Sequence, residues 1–235
     1  VPTGALRPAG RPQSPSPKRS AVPARAELTA AKTGSLPQAP QSARAAQTST
    51  ASPTVPQADA QPAVGMSTEL LNKIASADWQ ALQTLSQHCT ACALSAMGRQ
   101  HVVFSDGGPG PKLVVVGEAP GAEEDLQGIP FVGKSGKLLT AMLDSLGLVR
   151  RRDCVILNVL KCRPPRNRNP QPEEIVCCGH WLARQLELLK PDVLFLAGRF
   201  AISSLLKPAD EMFSISKMRG RIHLAQLPDG RQVPA

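Results

Sequence analysis

The residues with the clearest chemical potential are six cysteines: Cys89, Cys92, Cys154, Cys162, Cys177 and Cys178. Cys89 and Cys92 form a CxxC pair, a spacing that lets two thiolates reach one metal centre from a tight turn. Two further ligands must come from the other four. Residues 172–190 read as a helix on which Ile175, Leu182, Leu186 and Leu189 share a face. At roughly 100° per residue, Cys178 lies close to that face and Cys177 points away. Cys162 sits just past a strand, where a side chain can leave the sheet, whereas Cys154 begins the strand and reads as a small core residue. The ligand set is therefore Cys89, Cys92, Cys162 and Cys178. Such a site holds structural zinc or an iron–sulfur cluster, and spacing does not separate the two. With no secretory h-region near the N-terminus, a disulfide framework is disfavoured. A redox role for the CxxC pair lacks the usual strand-to-helix setting.

The elements that must position these residues follow from pattern. Residues 67–87 read as one helix with Leu70, Leu71, Ile74, Leu82 and Leu85 as its apolar positions. Residues 112–117 form a short valine-rich strand, patterned for burial on both faces. A Gly/Pro-rich loop over 118–133 follows. Ser135 then caps a helix running to Leu146, with Gly147 as its stop. Residues 154–160 form a second strand and 161–171 a basic, proline-rich connection. Pro172 suits the first turn of the next helix, and Glu173 and Glu174 complement its positive end. Residues 192–197 are a third buried strand, 199–206 a further helix, and 221–226 with 232–234 a hairpin. Strands alternating with helices predict an α/β sandwich on a parallel sheet.

Composition divides the chain. Residues 1–65 hold 11 of its 23 prolines, no aromatic residue and no cysteine, and their seven Lys/Arg against two Asp/Glu supply over half of the formal +9. Their few larger aliphatics are scattered without period, so they read as a disordered tail ahead of one domain, 66–235. No apolar run approaches the roughly 18–20 residues of a membrane helix. The basic balance favours anionic partners, nucleic acid first among them.

Five segments then occur in a telling order: GEAPG at 117–121, EED at 123–125, PFVG at 130–133, NVLKCRPP at 158–165 and NR at 167–168. Together with the CxxC pair and a cysteine sixteen positions after Cys162, they resemble the family 4 uracil-DNA glycosylases, the iron–sulfur type of many prokaryotes. The glutamate of GEAPG makes the likeness to family 5 weaker. The resemblance implies a four-stranded parallel sheet between helices, a three-layer sandwich. It also implies a 4Fe–4S cluster on the four chosen cysteines, with structural zinc as the alternative. The implied reaction is hydrolysis of the N-glycosidic bond of uracil in DNA, single- or double-stranded, which leaves an abasic site. The implied setting is a cytoplasmic monomer working on a prokaryotic chromosome.

Such chemistry requires the base to leave the stack and enter a pocket. Phe131 is the candidate stacking surface. Asn158, near a strand end, carries both a donor and an acceptor and can read O4 and N3–H of uracil together. Cytosine presents the opposite pattern. The resemblance places Ala119 in the water-facing motif, and Glu118 and Glu124 are candidates for orienting water or stabilising an oxocarbenium-like sugar. Lys134, Arg163, Arg166 and Arg168 flank these elements and are candidate phosphate contacts, with Arg150, Arg151 and Arg152 as a further basic cluster.

The family pattern continues into a His-Pro-Ser/Ala stretch whose histidine stabilises the departing base. The sequence reaches Ala235 about where that stretch's strand begins, and none of His88, His101, His180 and His223 precedes a proline. Loss of one preorganised donor of this kind costs roughly 10²–10³ in rate. The alternative expectation is therefore an inactive or weakly active nucleic-acid-binding module on the same scaffold.

Overall fold

The computed structural model describes residues 65–208 and 214–235; the tail expected over 1–65 lies, but for Gly65, outside them. Three strands make the central parallel sheet: β1 (Leu113–Gly117), β2 (Cys154–Asn158) and β3 (Val193–Leu196), in the order β2-β1-β3. Leu113 pairs with Cys154 on one side and Val193 on the other, and the register carries Gly117 opposite Asn158. The four-stranded parallel sheet implied by the resemblance is three-stranded among the described residues. The last two strands, β4 (Leu224–Gln226) and β5 (Gln232–Pro234), instead form an antiparallel hairpin.

Side-chain alternation sorts the sheet into two faces. Val114, Val116, Val155 and Leu157 pack with Leu182, Leu186 and Leu189 of α5 (Pro172–Leu189) and Ala201 of α6 (Arg199–Leu206). Val115, Cys154 and Ile156 pack on the other face with Leu139 and Leu143 of α4 (Lys134–Ser145). This is the helix–sheet–helix sandwich expected from the pattern. The parity of β2 places Asn158 on the α4 face, with Cys154 and Ile156.

Some expectations shift in detail. Residues 67–87 form two helices, α1 (Thr68–Ser76) and α2 (Trp79–Gln87). Ala77 is extended, and the Asp78 carboxylate accepts from the Ala81 amide, so a new N-cap interrupts an otherwise continuous pattern. The segment 118–133 contains a helix, α3 (Ala122–Gln127), whose acidic first turn favours its positive end. Gly133, not Ser135, caps α4. The third strand is not buried on both faces: Val193 and Phe195 are each 43% exposed. The 172–189 helix and the 199–206 helix fall where expected, the former ending on a left-handed cap at Lys190. A short helix, α7 (Ile215–Met218), leads to the final hairpin. No helix among the described residues is long and apolar enough to cross a membrane.

A candidate base pocket and a cysteine cluster beside it

The carboxyl ends of β1 and β2 open into a cavity of about 190 Å³ lined by Glu118, Ala119, Phe131, Asn158, Ser135 and Arg168, among others. Ligand groups gather at such strand ends in open α/β sheets. Beyond β1 and β2 the backbones stay paired, Val159 N–H to Gly117 C=O (2.9 Å) and Leu160 N–H to Glu118 C=O (2.9 Å). The floor of the pocket is consequently a continuation of the hydrogen-bonded β1–β2 pair.

Gly117 explains how two of its walls come together. A Cβ at this position would lie 2.4 Å from Cε2 of Phe131 and 2.5 Å from Oδ1 of Asn158. Ring and amide thus both stand over a backbone with no side chain. Asn158 is 2% exposed, and its Oδ1 is buried without a hydrogen-bond partner. A buried unpaired acceptor costs about 1–3 kcal/mol; Gln185 Oε1 and Ser204 Oγ are likewise unpaired among the described residues, but of the three only Asn158 lines this cavity. The Asn158 backbone is held from behind: Lys161, fully buried, donates from Nζ to its carbonyl at 2.7 Å. Burial pulls the Lys161 ammonium down to about 7.

The acidic candidates separate. Glu124 is buried, and its carboxylate accepts from the Gly121 (3.1 Å), Val132 (2.9 Å) and Gly133 (2.8 Å) amides. It ties the turn before α3 to the loop carrying Phe131. Glu118 is half-buried, no hydrogen bond joins its carboxylate to another described residue, and burial pushes its pKa up. Asp125, also buried, accepts from the Gln100 and His101 amides at 2.9 and 3.2 Å. It fixes the chain leaving the CxxC turn against α3.

The basic residues divide similarly. Lys134 and Arg166 are exposed; Arg163 is half-buried and donates to Asn167 Oδ1 at 2.7 Å. Arg168 lines the pocket but forms a two-pronged pair with Glu174 at 2.9 and 2.6 Å. Burial opposes the Glu174 charge, yet Arg168 and the Gln171 amide hold its carboxyl below the usual range. The cluster 150–152 is not a free basic surface. Arg150 and Arg151 both pair with Asp106, which is 3% exposed, and Arg152 pairs with Asp153. A lone buried aspartate needs such partners, and sequence offers no sign of which arginines supply them. Ser135 and Asn167 also line the pocket; neither was singled out as a contact from sequence, although Asn167 sits inside a quoted motif.

The chosen thiols draw together from three segments. Cys89 follows α2, Cys92 precedes a 3-10 turn at Ala93–Ala96, Cys162 lies past β2, and Cys178 is on α5. The neighbouring Cys178 lowers the Cys92 thiol to about 6, while Cys92 and burial push the Cys178 thiol up. Burial pushes the Cys162 thiol up to about 11, while Arg99 donates to its Sγ at 2.9 Å and to the Cys89 carbonyl at 2.6 Å. Cys154 is fully buried in the core on the α4 face, as expected. Cys177 differs from expectation: it is buried, donating to the Ala91 carbonyl at 3.2 Å, because the CxxC loop covers that side of α5. No three His, Cys, Asp or Glu side chains among the described residues converge tightly enough to hold a metal ion. In donor type and segment placement, though, the four thiols fit a thiolate-bound group.

A larger cavity, about 870 Å³, lies among α5, α6 and β4 and shares no lining residue with the base pocket. Its walls are chiefly aliphatic, with Ser203, Ser204, Lys207, Gln226 and Gln232 as the polar exceptions.

Against known proteins, residues 104–231 match the family described as the uracil DNA glycosylase superfamily. A type-4 uracil-DNA glycosylase of Archaeoglobus fulgidus is 48% identical over 136 residues, 57% of this chain and 67% of the relative. The chain belongs to the type-4 uracil-DNA glycosylases. A family member from Thermotoga maritima is also 48% identical, over 132 residues, covering 56% of this chain and 67% of its own length. The likeness to a type-5 uracil-DNA glycosylase of Pyrobaculum aerophilum is weaker, 36% over 110 residues, with 41% of this chain and 48% of the relative covered. That order agrees with the reading of GEAPG.

Proposed function

We propose that the chain removes uracil from DNA by hydrolysing its N-glycosidic bond, as a base-excision repair step performed by the domain from about residue 66. The observation that carries this reading is the unpartnered Oδ1 of Asn158, buried beside the Phe131 ring over Gly117. Uracil's N3–H would satisfy that acceptor, and the amide's own N–H would donate to O4. Cytosine would oppose an acceptor to Oδ1 and a donor to the N–H, leaving buried groups unmatched at about 1–3 kcal/mol each. Phe131 supplies a flat apolar surface for the extruded base.

In the reaction, water forms a bond to C1′ as the C1′–N1 bond breaks. The bonding pair leaves with N1 of uracil, and the water's proton is released to solvent or to a carboxylate. Glu118, half-buried at the pocket mouth with no protein partner among the described residues, orients that water and offsets positive charge on the sugar. Glu124 shapes the loop by binding three amides. Ala119 faces the water's approach with no competing polar group. Arg163, Arg166 and Lys134 are the phosphate contacts on either side, and Arg168 supports the wall through Glu174.

Cys89, Cys92, Cys162 and Cys178 would hold a 4Fe–4S cluster, with structural zinc as the alternative. When bound, the group supplies a cross-link between the α2 turn, the segment after β2 and α5. The chain's setting is cytoplasmic, and it acts as a monomer.

The test is release of uracil from single-stranded uracil-containing DNA under enzyme excess, alongside binding of the same strand with thymine in place of uracil. Release, lowered roughly 10- to 100-fold by N158A, supports the proposal. Uracil-independent binding with no release would instead favour a non-catalytic nucleic-acid-binding module. Iron or zinc content of anaerobically purified protein decides the metal.

A further inference from the structure

Phe131 adopts an unusual backbone conformation for a phenylalanine, with φ at +56°. Side chains other than glycine visit this region at a cost, and they persist there only where the surroundings enforce it. Two features enforce it here. Gly136 of α4 lies so close that a Cβ would sit 2.0 Å from the Phe131 carbonyl oxygen, so the loop is pressed onto the helix. The Arg150 guanidinium then takes both neighbouring carbonyls: Nη1 donates to Phe131 O at 2.6 Å and Nη2 to Pro130 O at 2.7 Å. Nη1 also reaches Thr140 Oγ1 on α4 at 3.2 Å.

Arg150 is itself anchored. Its Nε donates to Asp106 Oδ2 at 2.7 Å. Asp106 exchanges both backbone hydrogen bonds with Ile156, 2.9 and 3.0 Å, on the strand that carries Asn158 two residues later. One charge pair, buried at Asp106 and half-buried at Arg150, therefore spans the elements behind the two walls of the pocket. Arg151 completes the Asp106 carboxylate from the exposed side.

We propose that Arg150, anchored on Asp106, is a positioning residue that fixes the Phe131 ring against Asn158 and so sets the spacing of the base pocket. This rests on the uracil reading of that pocket. A planar fork with several donors is needed to hold two successive carbonyls and a carboxylate at once, so lysine cannot replace it.

The test compares R150K, R150M, F131A and the double variant R150M/F131A in the full chain. Hydrogen exchange gives a readout that does not depend on activity. R150M and R150K should speed exchange of the Val132 and Gly133 amides, leaving β1 and β2 protected. Uracil release should fall by roughly 10²-fold in R150M, the scale of a 1 Å misplacement, and R150K should not rescue it. Because Arg150 acts through Phe131, R150M should add no more than about threefold in the F131A background. Unchanged exchange at 132–133, full rescue by R150K or multiplying losses in the double variant would each overturn the proposal. Should the wild-type chain release no uracil, the functional reading fails, and the exchange data alone decide whether Arg150 holds the loop.

Discussion

Gly117→Ala is the most direct challenge to the pocket. Gly117 has ordinary strand backbone, so alanine introduces no φ strain and the added methyl is the whole perturbation. That methyl would lie 2.4 and 2.5 Å from Cε2 and Cζ of Phe131 and 2.5 Å from Oδ1 of Asn158. Carbon atoms in good contact sit at about 3.5–4.0 Å, so something must move by about 1 Å. Neither wall has an easy retreat. Phe131 is backed by Gly136 and Arg150, and Asn158 is held by strand register and Lys161. Overpacking of this kind costs about 1–3 kcal/mol, and a 1 Å error in placement costs about 10²-fold in rate. Single-turnover uracil release should therefore drop by about 10²-fold, while urea denaturation shows a loss within that 1–3 kcal/mol range. Release within about twofold of wild type, with stability unchanged, would refute the geometry, because the methyl would then have found room the structure does not contain.

N158A removes both the acceptor and the donor facing the base, and should lower uracil release by roughly 10- to 100-fold, at about 1–3 kcal/mol for unmatched groups; thermal unfolding should shift little, since Oδ1 has no protein partner to lose. Burial raises the Glu118 pKa, so the carboxyl takes up its proton at a higher pH than an ordinary glutamate. Activity that needs its charge should then fall on acidification while the pH is still above about 4.5, and E118Q should abolish that acid limb in a pH–rate profile. C178S should lower the iron or zinc content per chain, measured by elemental analysis, whereas C177S should leave it near the wild-type level. Equal loss in both would move the ligand set.

The order of elements was legible because each rests on local pattern. The valine-rich run at 113–117, the Pro172 start and Glu173–Glu174 turn of α5, and the CxxC pair are all short-range signals. Misreadings arose where a local pattern met a tertiary demand. The 67–87 pattern is continuous, but Asp78 caps a second helix inside it. Valine and phenylalanine in β3 look doubly buried, yet among the described residues one face is partly open. Arg150 looks like surface because its charge is visible in sequence while its partner, Asp106, lies over forty residues away.

The sequence by itself determined the chemistry available: a thiol set, a strand-end amide, an aromatic in a Gly/Pro-rich loop and two acids, in an order that resembles one family. Tertiary structure decided which of these groups are free to act. It filled the Glu124 carboxylate with three amides and left Glu118 without a partner; it paired Arg168 and Arg150 inward and left Oδ1 of Asn158 unsatisfied. The physical reason is that residue type fixes which hydrogen bonds a group can make. Only packing fixes which of them are already made, and reactivity belongs to those that remain open.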